Sequence, residues 1–232
     1  MECIILAGGL GTRLQNTIGN MPKCMADING QPFLHYLFVY LQQQNCSRVV
    51  LSLGYKHEII LDWLKQKKYS FEIDFVIEEE PLGTGGGIQL ALKKCKEENV
   101  VVMNGDTLFS INLSSLIDFH LQKKAATTIA LKDMKMFERY GSVLVNHEEQ
   151  ITAFEEKKFQ ESGFINGGVY VVNRERFFNN QLPEKFSFEK DYLEAFVDEK
   201  VFFGKAFQDY FIDIGIPQDY QQAQTDFKTI FS

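Results

Sequence analysis

Glu2-Cys3-Ile4-Ile5-Leu6-Ala7-Gly8-Gly9-Leu10-Gly11-Thr12-Arg13-Leu14 is the stretch whose reading decides the fold. Its first five residues are a short, mostly apolar run, the pattern of a strand buried in a parallel sheet. The run then breaks into glycines. Such a strand delivers a glycine-rich turn to the carboxyl edge of a sheet, where open α/β sheets bind ligands. Lacking Cβ atoms, Gly8, Gly9 and Gly11 let backbone N–H groups close around a polyphosphate. Arg13 and, in Pro22-Lys23, Lys23 add two cations that a bare loop lacks. The stretch predicts a nucleotide-phosphate site.

Two familiar phosphate loops do not fit. A dinucleotide turn G-x-G-x-x-G needs glycine where the chain has Leu14, which disfavours a dinucleotide-dependent oxidoreductase. A P-loop needs Lys-Ser or Lys-Thr after its last glycine, and neither occurs here. The glycines alone are read most simply as a plain turn with an exposed arginine. The strand before them and Pro22-Lys23 after them outweigh that reading.

Working outward, apolar residues at Phe33, Leu34, Leu37, Phe38 and Leu41 mark one face of a helix over 32–44. Strands at 48–53, 71–77 and 100–103 alternate with helices at 58–68 and 87–96. This alternation predicts an α/β fold with a doubly wound, mostly parallel Rossmann-like sheet. After a helix at 114–123 the pattern changes to short strands at 127–131, 142–146, 151–154 and 169–172. These predict a smaller antiparallel lobe covering the site. Helices at 186–199 and 218–231 follow. No repeat or linker divides the chain, so residues 1–232 read as a single domain with two lobes, 1–110 and 111–232.

Asp106, in Asn104-Gly105-Asp106, follows the apolar strand Val100-Val101-Val102-Met103 and so stands at the same sheet edge as the opening loop. Mg²⁺ takes hard oxygen ligands, commonly one or two carboxylates with phosphate and water. Asp106 suits that role, with Asp213 as a second ligand; an Asp beside Gly that merely turns the chain fits the spacing equally well. Glu78-Glu79-Glu80 precede Pro81-Leu82-Gly83-Thr84-Gly85-Gly86-Gly87, whose glycines enter a helix and let backbone lie close to a flat base. A carboxylate accepts well from the N–H donors of guanine, although an acidic strand end facing solvent also accounts for some of the three glutamates.

The bulk properties exclude several classes. The chain has 232 residues, net charge −7 and pI about 5.2, so a broad nucleic-acid footprint is not expected. Cys3, Cys24, Cys46 and Cys95 are scattered, which argues against a zinc site or a disulfide framework. No apolar stretch approaches a membrane span and no leader precedes the first strand, so a cytoplasmic protein without membrane contact is expected. The four histidines occur singly, with no G-x-S-x-G elbow.

Gly8-Gly9-Leu10-Gly11-Thr12-Arg13-Leu14 with Pro22-Lys23 resembles the signature of the sugar-1-phosphate nucleotidyltransferases. The resemblance continues in order through Glu80-Pro81-Leu82-Gly83-Thr84-Gly85-Gly86, Asn104-Gly105-Asp106, Glu155-Glu156-Lys157, Asn166-Gly167-Gly168 and Asp213-Ile214-Gly215. Arg139-Tyr140-Gly141, Lys185-Phe186-Ser187-Phe188-Glu189 and Tyr210-Phe211-Ile212 are most similar to the short D-glycero-α-D-manno-heptose-1-phosphate guanylyltransferases. The resemblance implies transfer of a nucleotidyl group from GTP to that heptose 1-phosphate, supplying activated heptose for a cell-surface glycan. It implies nucleotide contacts at Leu6, Gly8, Gly9, Gly11, Thr12, Arg13, Lys23, Glu80, Gly83 and Thr84, with Glu80 near the base. Catalytic roles fall to Arg13, Lys23, Asp106 and Asp213, the two aspartates holding Mg²⁺. Gly105, Gly141, Glu156, Lys157, Asn166 and Gly167 would hold the sugar phosphate, Lys157 on its phosphate.

Mannose 1-phosphate with GTP, or a hexose or aminosugar phosphate with UTP or dTTP, are the neighbouring alternatives. An inactive nucleotide-sugar sensor is an alternative of another class, disfavoured by the retention of Lys23, Asp106 and Asp213. A homo-oligomer is compatible with all of these. The chain departs from the family at Cys24, where a second proline usually follows Pro-Lys.

Overall fold

The computed structural model describes residues 1–9, 14 and 18–231. The opening apolar run forms β1 (Glu2–Leu6), followed by a hairpin of β2 (Asp27–Ile28) and β3 (Gln31–Pro32). Next come α1 (Phe33–Gln43), β4 (Arg48–Leu53), α2 (His57–Leu64), β5 (Glu72–Ile77), α3 (Gly83–Leu92), β6 (Asn99–Asn104), β7 (Thr107–Phe109) and α4 (Leu113–Lys123). The second half contains β8 (Thr127–Phe137), β9 (Val143–Val145), β10 (Ile151–Phe154), β11 (Gln160–Asn173) and α5 (Arg174–Asn179). A π-helical turn (Phe188–Glu194), β12 (Phe202–Phe207), β13 (Phe211–Asp213) and α6 (Pro217–Ile230) complete it.

Seven strands make one sheet in the order β12-β8-β11-β6-β1-β4-β5. β11 runs antiparallel to β6 and β8, and the other neighbours pair in parallel, as the alternation of elements predicted. From β1 the chain steps outward through β4 to β5, then returns to β6 on the other side of β1. That reversal opens a crevice at the carboxyl ends of β1 and β6.

Alternate strand residues serve opposite layers. Cys3, Ile5, Val49, Leu51, Val101 and Met103 pack on one face with Phe33 and Phe38 of α1 and Phe227 of α6. Ile4, Val50, Val100 and Val102 pack on the other with Ile88, Ala91 and Leu92 of α3. Both faces are covered, so the central strands are apolar throughout rather than alternating.

The amino ends of the strands carry a charged network. Arg48 donates through Nη1 to Glu2 Oε1 and to the Lys94 carbonyl, and through Nη2 to Asp74 Oδ2, each at 2.8 Å. Glu2 Oε2 also accepts the backbone N–H groups of Lys96 and Glu97, at 2.6 and 2.7 Å. This pins β1, β4 and β5 at one end.

Three differences from the sequence reading stand out. The expected strands 127–131 and 169–172 are parts of the longer β8 and β11, which extend the main sheet. The antiparallel pairs that stand apart from it are β9–β10, β7–β13 and β2–β3. The helix expected at 186–199 is the π-helical turn plus a short 3-10 turn (Val197–Glu199); the Ser187 side chain caps the first by accepting from Lys190 N. β12 has no clear strand pattern in the sequence because Gly204 and Lys205 interrupt its apolar residues.

Candidate active site

The site begins where β1 and β6 end. Gly105 N donates to the Leu6 carbonyl at 2.9 Å, and Ala7 N to the Ser52 carbonyl at 2.8 Å. A Cβ on Gly105 would lie 2.5 Å from that Leu6 oxygen, so only glycine lets the two strand ends close together. Between them is a cavity of about 300 Å³, bordered by Leu6, Ala7, Gly9, Lys23, Cys24, Thr84, Asn104, Gly105, Asp106, Glu189 and Gly215. Gly11, Thr12 and Arg13, expected on the same phosphates, lie outside the described residues.

Long-range pairing brings the second aspartate in. β13 runs antiparallel to β7 with Asp213 opposite Thr107, and Ile214 N donates to the Asp106 carbonyl at 3.0 Å. Lys23 Nζ then sits 2.5 Å from Asp106 Oδ2 and 3.4 Å from Asp213 Oδ1. Burial and the neighbouring Asp106 charge push the Asp213 acid upward, with Lys23 opposing. Two carboxylates that converge on one cationic point, at the edge of a phosphate-sized cavity, are a donor set that fits a hard divalent ion. Among the described residues no group of three or more His, Cys, Asp or Glu forms a metal-sized cluster, so such an ion would draw further ligands from phosphate and water.

A second cavity, of about 710 Å³, adjoins the first at Leu6, Gly9 and Thr84. Gly8, Gly54, Tyr55, His57, Ile77, Glu78, Glu79, Pro81 and Gly83 also line it. Glu78 is fixed there: Oε1 accepts from Ser52 Oγ and Oε2 from Leu82 N, both at 3.0 Å. Glu80 is exposed and does not border the cavity. The first glycines of α3 pack against the chain itself. Gly83 borders the cavity, but a Cβ on it would lie 2.5 Å from the Phe186 carbonyl, an added methyl on Gly85 would strike the Phe186 ring and one on Gly86 the Glu184 carbonyl. At all three positions the close approach is to the segment at 184–186, not to a base.

A third cavity, of about 180 Å³, lies beyond Asp106 and gathers Asn104, Thr107, Tyr140, Gly141, Lys157, Asn166, Gly167, Gly168, Glu189, Phe211 and Asp213. Gly141, Lys157, Asn166 and Gly167 are thus brought together, while Gly105 borders the first cavity. Glu156 is exposed and lines neither. Its neighbour Glu155 accepts from Ser142 Oγ at 2.6 Å and Lys158 Nζ at 2.9 Å, a structural role.

Glu189 was not singled out from the sequence, yet with Asn104 it borders both the first and third cavities. Burial, then Glu194 and Asp106, push its carboxyl upward against the pull of Lys157. Thr84 Oγ1 fastens its turn by accepting from Phe188 N at 2.9 Å. Its stretch carries two acids among the buried Phe186, Phe188, Tyr192 and Leu193; Asp191 is taken up by accepting from Ser187 N at 2.7 Å, and Glu189 is the one left to border the cavities. Cys24, in the place of the family proline, is also buried; burial and Asp106 push its thiol up to about 12, so it acts as a small apolar residue beside Lys23.

Comparison with known proteins shows the family. The profile of the nucleotidyl transferase family matches residues 2–229. A D-glycero-alpha-D-manno-heptose 1-phosphate guanylyltransferase of Aneurinibacillus thermoaerophilus is 50% identical over 226 residues, 97% of this chain and 98% of the relative. The protein of that name from Campylobacter jejuni is 45% identical, over 95% of this chain and 97% of its own. A crystal structure of HddC from Yersinia pseudotuberculosis complexed with GMP-PN superposes with a TM-score of 0.87 at 39% identity, covering 97% of this chain and 99% of that one.

Proposed function

Because the chain belongs to the nucleotidyl transferase family, we propose that it transfers a guanylyl group from GTP to D-glycero-α-D-manno-heptose 1-phosphate, giving GDP-heptose and pyrophosphate. The observation that carries this reading is the near full-length likeness to heptose 1-phosphate guanylyltransferases. The cavities add physical support. The first cavity, with Asp106 on its border, adjoins the base-sized cavity at Leu6, Gly9 and Thr84 and the small third cavity, bordered by Asp213, at Asn104 and Glu189.

In this reading residues 1–110 mainly bind the nucleotide and 111–232 mainly the sugar phosphate. The base enters beside Glu78 and Glu79, with Gly83 and Thr84 at its edge. Glu78 and Glu79 border this cavity and Glu80 does not, which supports giving them, rather than Glu80, the contact with the base. The phosphates lie along Gly8 and Gly9 toward Lys23, and Gly11, Thr12 and Arg13 contribute to binding them. Asp106 and Asp213 would hold Mg²⁺, which supplies positive charge to the triphosphate when bound. Lys157 meets the sugar's phosphate, while Asn166, Gly167 and Gly141 run along the sugar.

An oxygen of the sugar phosphate forms a bond to the α-phosphorus as the bond to pyrophosphate breaks. That oxygen is already ionised at neutral pH, so no general base is needed. The protein's work is alignment and charge neutralisation. The reduced, buried cysteines suit a cytoplasmic setting.

A crossed assay of four NTPs against a panel of sugar 1-phosphates, followed by pyrophosphate release, tests the proposal. GTP with the α-manno-heptose 1-phosphate should give the highest kcat/KM. Preference for UTP or dTTP overturns the guanine assignment; preference for mannose 1-phosphate with GTP overturns the heptose alone. No turnover with any pair leaves the nucleotide-sugar sensor.

A further inference from the structure

One ion pair beside the third cavity has no role in the chemistry above. We propose that Arg139 and Asp219 are a positioning pair that sets one wall of the sugar-phosphate cavity by holding Tyr140 in place. The proposal rests on the reading of that cavity given above. Arg139 Nη2 donates to Asp219 Oδ2 at 2.7 Å and also lies 3.4 Å from Tyr140 Oη. The guanidinium carbon lies 5.5 Å from the centroid of the Tyr140 ring. The same ring packs edge-on against Phe211, with centroids 6.1 Å apart. Tyr140 and Phe211 line the cavity together with Lys157 and Asp213.

The backbone gives this wall little support. Residues 138–141 belong to no helix or strand, and Ser142 makes a single bridge to Ile165. Side chains must therefore order the segment. Asp219 lies in the first turn of α6, immediately after Asp213-Ile214-Gly215. α6 is itself tied to the β2–β3 hairpin: Tyr220 Oη and Gln224 Nε2 donate to the Asp27 carbonyl, each at 2.6 Å. Asn29 N donates to Gln224 Oε1 at 3.0 Å. Because that hairpin follows Lys23 closely, one helix braces the chain just after Lys23 and reaches the sugar wall through Arg139. A phenol oxygen that accepts from Arg139 keeps its own proton for donation to a sugar hydroxyl or phosphate oxygen. Loss of the pair should therefore weaken the sugar side and spare the nucleotide.

Steady-state kinetics of Arg139→Gln, Asp219→Asn and the double variant test this. As the pair is partly exposed, each single change should raise the sugar-phosphate KM by about fivefold, with kcat and the GTP KM within about twofold. The double variant should be no worse than the weaker single, because both remove one interaction. A lowered Tm with unchanged sugar-phosphate KM, a parallel rise in GTP KM, or additive losses would each overturn the proposal. If the wild-type chain turns over no sugar 1-phosphate, the functional reading fails on its own account. The pair is then judged by hydrogen exchange over 138–142: faster exchange in both single variants supports the holding role, and unchanged exchange removes it.

Discussion

Lys23 stands between two carboxylates that would otherwise repel each other across a partly buried gap. Replacing either carboxylate with its neutral isostere removes charge where the reaction needs it and relieves that repulsion. Asp106→Asn and Asp213→Asn should each lower turnover by about 10²- to 10³-fold while thermal unfolding stays at or above the wild-type midpoint. Near-normal Mg²⁺-dependent rates in either variant would remove that residue from the metal pair. The glutamates at 78–80 should separate in the same way. Glu78 borders the large cavity and accepts from Leu82 N, so Glu78→Gln should cost about tenfold in kcat/KM for GTP. Glu80 faces solvent, so Glu80→Gln should leave the preference among NTPs unchanged in competition assays.

Elements bring these residues together through close backbone contacts. Gly105→Ala would press a methyl group against the Leu6 carbonyl and force the ends of β1 and β6 apart. The expected cost is about 1–3 kcal/mol in urea unfolding, with a larger proportional loss of activity because the cavity lies at that junction. Much of this level was legible in the sequence. Unbroken apolar runs revealed β1, β4 and β6, and their carboxyl ends located Leu6 and Asp106 correctly at one edge. The pairing of β13 with β7 was not legible, since three-residue strands show no usable period. Nor did glycines at a helix start reveal whether they faced a ligand or, like Gly85 and Gly86, the segment at 184–186. Glu80 and Glu156 are placed by motif position alone; both lie in loops past strand ends, where no period specifies which way a side chain turns.

At the scale of the molecule, acid should act through His120, far along the chain from any site motif. Its ring is buried between Thr128 Oγ1 at 2.9 Å and Asn99 Oδ1 at 3.0 Å. Burial, then the Arg176 charge, push it down to about 4 from an ordinary 6.5. Between those values the unfolded chain binds the extra proton, so the stabilisation from neutral His120 is complete above 6.5. It declines as pH falls toward 4, by about 3 kcal/mol over the window. Asp213 and Glu189, both pushed upward, act in the opposite sense. The difference between urea-unfolding curves of wild type and His120→Gln should therefore isolate the histidine, and parallel pH profiles would show that it does not titrate in this range. The Arg48 network has a consequence of another kind. It ties down the amino ends of the sheet, whereas the cavities open at the carboxyl ends, roughly 13 Å away along β1. Groups that far apart, with no shared partners, contribute independently. Substitutions that retune the sugar cavity and substitutions that reinforce the base of the sheet should thus combine without interference, so that a new acceptor specificity can be sought in a strengthened scaffold without choosing between them.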